Sequence, residues 1–205
     1  MEVLQSDASA VNRTTSITGE SDTVTRLSEI LRSSDVSDFE FKRVPQDYYD
    51  QPLEYRRDVL GAASVDHLCK SIVLVNTQAA SDVTDCSDRK NSKYYVVIVQ
   101  YTARFNNEAV RKYLYELNEG KIAKKRFNLR LAPEDVSAKL TGYEHNGVTC
   151  VGMKTDIPVI VDEAITKLNP EYFWLGGGEV DLKLGIRTSE FIKFTKPFII
   201  NCSGT

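Results

Sequence analysis

The segment YYVVIVQYTARFNNEAVRKYLYEL, residues 94–117, changes its period part-way along. Tyr94 to Tyr101 is an almost unbroken β-branched and aromatic run, the pattern of a strand. From Ala109 the apolar residues Val110, Tyr113, Leu114 and Leu117 recur on one helical face. Asn106 or Asn107 can cap that helix, and Asn118 with Gly120 can close it. A strand thus passes within a few residues into an amphipathic helix.

Moving outward, Lys70 to Asn76 (KSIVLVN) reads as a second strand buried on both faces, followed by a polar loop at 77–93. In LAPEDVSAKLTG, residues 131–142, Pro133 suits a first turn, Glu134 and Asp135 complement the helix dipole, and Gly142 terminates. Val24, Leu27, Ile30 and Leu31 mark an earlier helix after Ser21 or Asp22, and 57–65 a weaker one. Shorter strands are expected at 148–151, 157–161, 172–175 and 180–184, where Asp181 and Lys183 alternate with apolar residues. Short helices are expected at 162–168 and 189–194. Strands and helices interleave without a steady βαβ rhythm, which predicts an α+β protein with a mixed β-sheet. Residues 1–22, rich in Ser, Thr and Asp, read as a disordered tail, and 23–205 as a single domain.

The 205 residues carry 41% hydrophobic side chains and a net charge of −3, with a pI of about 5.5. That balance argues against a protein that coats nucleic acid over its whole surface, and no DNA partner is expected. No run approaches the roughly 18 apolar residues of a membrane span and no signal-peptide core is visible, so the expected setting is cytoplasmic without a membrane partner. Cys69, Cys86, Cys150 and Cys202 form no CxxC pair and read as reduced thiols. The pattern Asn12-Arg13-Thr14, like Asn201-Cys202-Ser203, matters only to an exported chain.

Several clusters admit two readings. The glycines at 176–178 follow a strand, but what comes next alternates like another strand, so a phosphate loop opening a helix is excluded. They serve either a tight strand-to-strand turn or close backbone approach to a ligand. Cys150 and His145 read as a packed thiol and a nearby imidazole, or as a thiol–imidazole pair. His67 and Cys69 lack the second pair a zinc site would need, and no metal or cofactor is expected. Between 111 and 130, seven basic residues (Arg111, Lys112, Lys121, Lys124, Lys125, Arg126, Arg130) face only Glu116 and Glu119. This is either a solvated face or a phosphate footprint with Phe127 available for stacking. Lys70 is either a solvated strand end or a donor to an anionic or carbonyl-bearing substrate.

The ordered series CKSIVLV (69–75), YYVVIVQYTA (94–103), LAPEDVSAKLTGYEHNGVTCVGMKTDIPVIVDEAI (131–165) and FWLGGGEVDLKLGI (173–186) resembles the YbaK/ProX family of aminoacyl-tRNA editing domains, in its eukaryotic free-standing branch. The third segment carries most weight, because the family typically shows a TGYxxGGVxPFG-like run, then a proline and an acidic residue before a helix. The resemblance spans about Leu60 to Phe194. It implies a mixed sheet curled into a half-barrel, surrounded by helices, and hydrolysis of the ester in mischarged tRNA, with Ala-tRNA(Pro) and Cys-tRNA(Pro) as substrate types. By position, Lys70 matches the family's essential lysine, and backbone amides at Gly147 or Gly152 would stabilise the oxyanion. Thr141, Gly142, Tyr143, Asn146, Val148, Thr149, Cys150, Gly177 and Gly178 match the substrate pocket. Lys121, Lys124, Lys125, Arg126 and Arg130 would meet the tRNA acceptor end, and an aminoacyl-tRNA synthetase is a further implied partner. Ester hydrolysis of this kind needs no covalent nucleophile. The family loop usually reads GxxxP, whereas this chain has Asn146 and Cys150 at its ends. That departure keeps a second reading open, a non-catalytic tRNA-binding or synthetase-associated module, and a third, a thiol hydrolase using Cys150 and His145.

Overall fold

The computed structural model describes residues 21–204. The expected tail and the Asn12 pattern therefore lie outside the described residues, except that Ser21 and Asp22 open the first helix. In α1 (Asp22–Ser33) the Ser21 side chain accepts from the Val24 N–H and Asp22 sits in the first turn. Its inward face buries Leu27 and Leu31 completely, each worth about 1.5–3 kcal/mol of transfer free energy.

There follow β1 (Phe39–Arg43), α2 (Leu53–Leu60), β2 (Cys69–Asn76), β3 (Tyr94–Gln100), β4 (Arg104–Phe105) and α3 (Asn107–Leu117). The chain continues with β5 (Leu129–Leu131), α4 (Glu134–Thr141), β6 (Val159–Asp162), α5 (Glu163–Thr166), β7 (Tyr172–Gly176) and β8 (Leu182–Arg187). It closes with α6 (Thr188–Thr195), β9 (Phe198–Ile200) and β10 (Ser203–Gly204). The sequence signals act where expected at several boundaries. Asn106 caps α3 through the Ala109 N–H, and Gly142 ends α4 in the left-handed conformation.

The mixed α+β class is as expected. The half-barrel is not seen as one curled sheet: among the described residues the strands divide into three sheets. Five strands run in the order β5-β2-β3-β6-β9, antiparallel between β5, β2 and β3 and parallel from β3 through β6 to β9. Three antiparallel strands run β1-β8-β7, and β4 pairs with β10. A parallel bridge between Leu68 and Trp174 joins β7 to the approach of β2. The main core lies between the two larger sheets, with α1 and α6 packed against it. The other face of the five-stranded sheet is covered by α3.

The strand expected at 148–151 is a loop instead, and β1, β4, β5, β9 and β10 were not foreseen. The third departure bears on function. β8 was expected to alternate between core and solvent, but it is the central strand of its sheet and both its faces are covered. Leu184 and Ile186 meet the main core. On the opposite face the segment Val44 to Ala62 packs Tyr48, Leu60 and Trp174 into a separate aromatic cluster. Lys183 points to that side and is buried.

Candidate active site

A cavity of about 240 Å³ opens where β2, β7, β8 and the loop 145–148 converge. Lys70, Ser71, Ile72 and Val73 form one wall, and Trp174, Leu175 and Gly176 another. Tyr48, Tyr49, Tyr101 and Lys183 lie on the aromatic side, while Glu134, Ser137 and the exposed Leu131 lie at the edge. The Lys70 Nζ stands 5.8 Å from the centroid of the Tyr101 ring.

The resemblance-based residues separate into two groups. Lys70, Asn146 and Val148 line the cavity together, as does Gly176 beside the expected Gly177 and Gly178. The remaining residues of the motif build the frame that holds this wall. The Thr141 hydroxyl donates to the Ser137 carbonyl at 2.8 Å and accepts from the Tyr143 N–H at 3.1 Å. The Tyr143 hydroxyl donates to the Val151 carbonyl at 2.6 Å and accepts from Arg26 of α1 at 3.1 Å. Gly152 has a φ of +66° and packs against Arg26 and Leu27, so it lies against α1 and is not among the residues lining the cavity. Thr149 is fully buried and Cys150 belongs to the main core.

The loop itself is seated on the glycine turn. Gly176 passes so close beneath Val148 that a Cβ there would overlap the Val148 carbonyl. The Gly178 N–H donates to the Gly147 carbonyl at 2.9 Å, and the Gly177 N–H to the Leu182 carbonyl at 2.9 Å. The glycines make the strand-to-strand turn, and the backbone they admit closely is this chain's own loop at 147–148, not a ligand. The Gly147 N–H donates to the Glu144 carbonyl at 2.9 Å. That amide is occupied by the turn and is not open to an oxyanion, whereas the Val148 N–H is not engaged by any described residue.

Lys183 was missed by the sequence reading. Its ammonium donates to the Tyr49 hydroxyl, lies 3.4 Å from the Asn146 carbonyl, and stands 4.4 Å from the centroid of the Tyr49 ring. Tyr49 in turn donates to the same carbonyl at 2.7 Å. Burial is the main cause that pushes the ammonium down to about 8, with the Arg56 guanidinium adding to it and Asp181 opposing. Burial likewise pushes the hydroxyls of Tyr49, Tyr48 and Tyr101 upward. The one available signal in the sequence was the aromatic density at Tyr48 and Tyr49, far from residue 183 in the chain.

Other expectations resolve on burial. Desolvation pushes the Cys150 thiol up to about 12, and His145, exposed at the cavity edge, pairs with Glu134 at 3.3 Å. The buried thiol in the main core and the exposed imidazole paired with Glu134 give no support to a thiolate–imidazole pair at Cys150. Both ring nitrogens of His67 are engaged, by Ser64 at 2.8 Å and the Pro170 carbonyl at 3.1 Å. Phe127 is fully buried under α3 and is not available for stacking. In the basic stretch Lys121 pairs with Glu119 and Lys124 with Glu108, each at 2.5 Å. Lys125, Arg126 and Arg130 are exposed and meet no acid among the described residues. Lys125 and Arg126 lie in the 3-10 turn Lys124–Arg126, and Arg130 lies on the edge strand β5 next to Leu131 at the cavity mouth.

A family model described as the aminoacyl-tRNA editing domain matches residues 60–194. Among solved structures, one described as a candidate trans-editing enzyme for prolyl-tRNA synthetase superposes with a TM-score of 0.68 at 18% identity, covering 91% of this chain and 100% of that one. A structure from work on computational epitope grafting onto scaffold proteins gives 0.66 at 17% identity over 91% of this chain and 99% of the other. A hypothetical protein gives 0.63 at 18% identity over 87% and 99%. At these identities the likeness is one of fold. No curated protein matches the chain. The matched span contains β2 with Lys70, the loop at 146–148, the glycine turn and Lys183, so the whole cavity wall except Tyr48 and Tyr49 falls inside it, and the chain belongs to the aminoacyl-tRNA editing domain family.

Proposed function

We propose that this chain is an aminoacyl-tRNA deacylase that hydrolyses the ester of mischarged tRNA as one editing domain over 23–205. The observation that carries this reading is the single cavity shared by Lys70, Asn146 and Val148. Its size, somewhat below the roughly 300–1,000 Å³ of drug-sized sites, suits an aminoacyl group with the terminal nucleotide at the mouth. Lys70 orients the terminal nucleotide or the ester carbonyl through its ammonium donors. The Val148 N–H, which no described residue engages, is a loop donor for the developing oxyanion, a role that would lower the barrier without a protein nucleophile. Lys125, Arg126 and Arg130 meet acceptor-stem phosphates. Among the described residues no helix is long and apolar enough to cross a membrane, and a cytoplasmic setting and a synthetase partner belong to the same proposal. The eukaryotic free-standing branch rests on the ordered motifs alone.

The test is hydrolysis of a panel of mischarged tRNAs, including Ala-tRNA(Pro) and Cys-tRNA(Pro), by wild type and Lys70→Ala. Clearance above the spontaneous rate that disappears in the variant is expected; no clearance of any member by wild type ends the enzyme reading. The engaged Gly147 amide favours one alternative, a non-catalytic tRNA-binding module. It predicts salt-sensitive tRNA binding with every ester left intact.

A further inference from the structure

An ammonium carries three N–H donors. At Lys183 two are spoken for, one by the Tyr49 hydroxyl and one by the Asn146 carbonyl, which Tyr49 already occupies at 2.7 Å. No described residue offers the third an oxygen or nitrogen acceptor; the ring faces of Tyr49 and Tyr48, with centroids 4.4 and 5.4 Å from the ammonium, give it only the weaker company of π electrons. Lys183 is 4% exposed, so bulk water does not satisfy that proton, and a buried ionic donor without an acceptor is costly. The cavity that Lys183 lines is the one place where an acceptor can enter.

The charge around the cavity points the same way. Neither Lys183 nor Lys70 forms an ion pair with a described carboxylate. Asp181, the acid nearest in sequence, is held by Arg43 at 2.7 Å. Among the cavity-lining residues the only carboxylate is Glu134, exposed at the edge and paired with His145. Lys70 is partly exposed and Lys183 buried, so the two cations occupy an outer and an inner position. The walls between them are apolar and aromatic, where a charge is poorly screened. An alanyl group brings no acceptor beyond its carbonyl and leaves the inner cation unmatched.

We propose that Lys183 is a specificity-determining residue, and that the cavity selects an acyl group ending in a carboxylate, such as an aspartyl or glutamyl ester. The inner ammonium donates to that carboxylate while the ester end lies near Lys70. This inference rests on the deacylase reading and departs from the alanyl and cysteinyl substrates that the family resemblance implies.

The test is calorimetric binding of non-hydrolysable 3′-amido-adenosine analogues carrying aspartyl, seryl or alanyl groups, run beside the deacylation panel extended to aspartyl esters. Wild type is expected to bind the aspartyl analogue at least tenfold more tightly than the other two. Lys183→Met is expected to abolish that ranking, whereas Lys183→Arg, which keeps a cation at the position, retains it. Equal affinities in wild type, tighter binding of the seryl analogue, or an equal loss of all three in Lys183→Met overturns the inference. Clearance of Ala-tRNA without any aspartyl preference overturns it while the deacylase reading stands. Lys183-dependent aspartyl binding with every ester left intact supports acid recognition and removes the deacylase reading.

Discussion

Gly176 and Val148 meet backbone to backbone: the end of β7 passes directly beneath the Val148 carbonyl, and any side chain at 176 would occupy that oxygen's place. Both partners are buried or half-buried, so neither has room to retreat. Gly176→Ala therefore lifts the loop at 146–148 off the sheet. The expected cost is about 1–3 kcal/mol, the range for overpacking a filled interior, read by urea denaturation. Because the same loop walls the cavity, ligand binding falls as well. A stable Gly176→Ala protein with unaltered binding would show that the loop does not need this seat.

Asn146 takes a φ of +66°, in the region that disfavours every residue with a Cβ except, mildly, Asn and Asp. The family's usual glycine at this position meets the same demand, so the departure seen in the sequence leaves the backbone path open to both residues. Asn146→Gly is expected to change stability by only about 0.5 kcal/mol, and Asn146→Ala to cost about 1–2 kcal/mol. The bonds from Tyr49 and Lys183 go to the backbone carbonyl of 146 and survive either change. Chemical denaturation of the two variants decides it: equal stabilities would mean that the turn tolerates another conformation.

The elements that could be read from sequence were those whose signal is local. The run at Tyr94, the Asn106 cap and the Gly142 terminus are all contained within short windows, and each reappears in the fold. What escaped depends on layers brought together from distant parts of the chain. Lys183 alternates with apolar neighbours like any half-exposed strand, and nothing near it announces that Tyr48 and Tyr49 will cover its face. Resemblance assigned Thr141 and Tyr143 to the substrate pocket and Gly152 to the oxyanion, whereas none of the three is among the residues lining the cavity, and Arg26, the partner of Tyr143 and Gly152, lies more than a hundred residues away. Their role as a frame became visible only once α1 was seen against them.

Tyr143 gives that distinction a measurement. Tyr143→Phe loses the bond to the Val151 carbonyl at 2.6 Å and the one from Arg26 at 3.1 Å. It is expected to cost about 1–2 kcal/mol, since a buried carbonyl is left without its donor. Turnover per folded molecule should remain close to wild type, because the hydroxyl faces the frame and not the cavity. Lys70→Ala should show the reverse, with a melting temperature near wild type and turnover lost. Loss of turnover in fully folded Tyr143→Phe would put its hydroxyl back among the reacting groups.

Lys183 makes stability depend on pH in a direction that can be worked out. Its folded value is pushed down to about 8, against an unfolded value of about 10.4. Across that window the unfolded chain holds more protons at this site than the folded one, so the contribution of Lys183 to stability improves as pH rises from about 8 to about 10.4. Below about pH 8 the cost of keeping the ammonium buried is fully present, on the order of 3 kcal/mol. Lys183→Met removes that cost and the compensating donation to Tyr49 together. The variant should accordingly be more stable than wild type at pH 7, by up to about 3 kcal/mol, with the advantage shrinking toward pH 10. Buried thiols and tyrosines also titrate at alkaline pH, but they are common to both proteins and cancel in the difference. Urea denaturation of the pair at pH 7, 8.5 and 10 measures it. A difference that stays constant across the three would mean that the amine keeps its ordinary value in the fold, and that the inner cation is solvated after all.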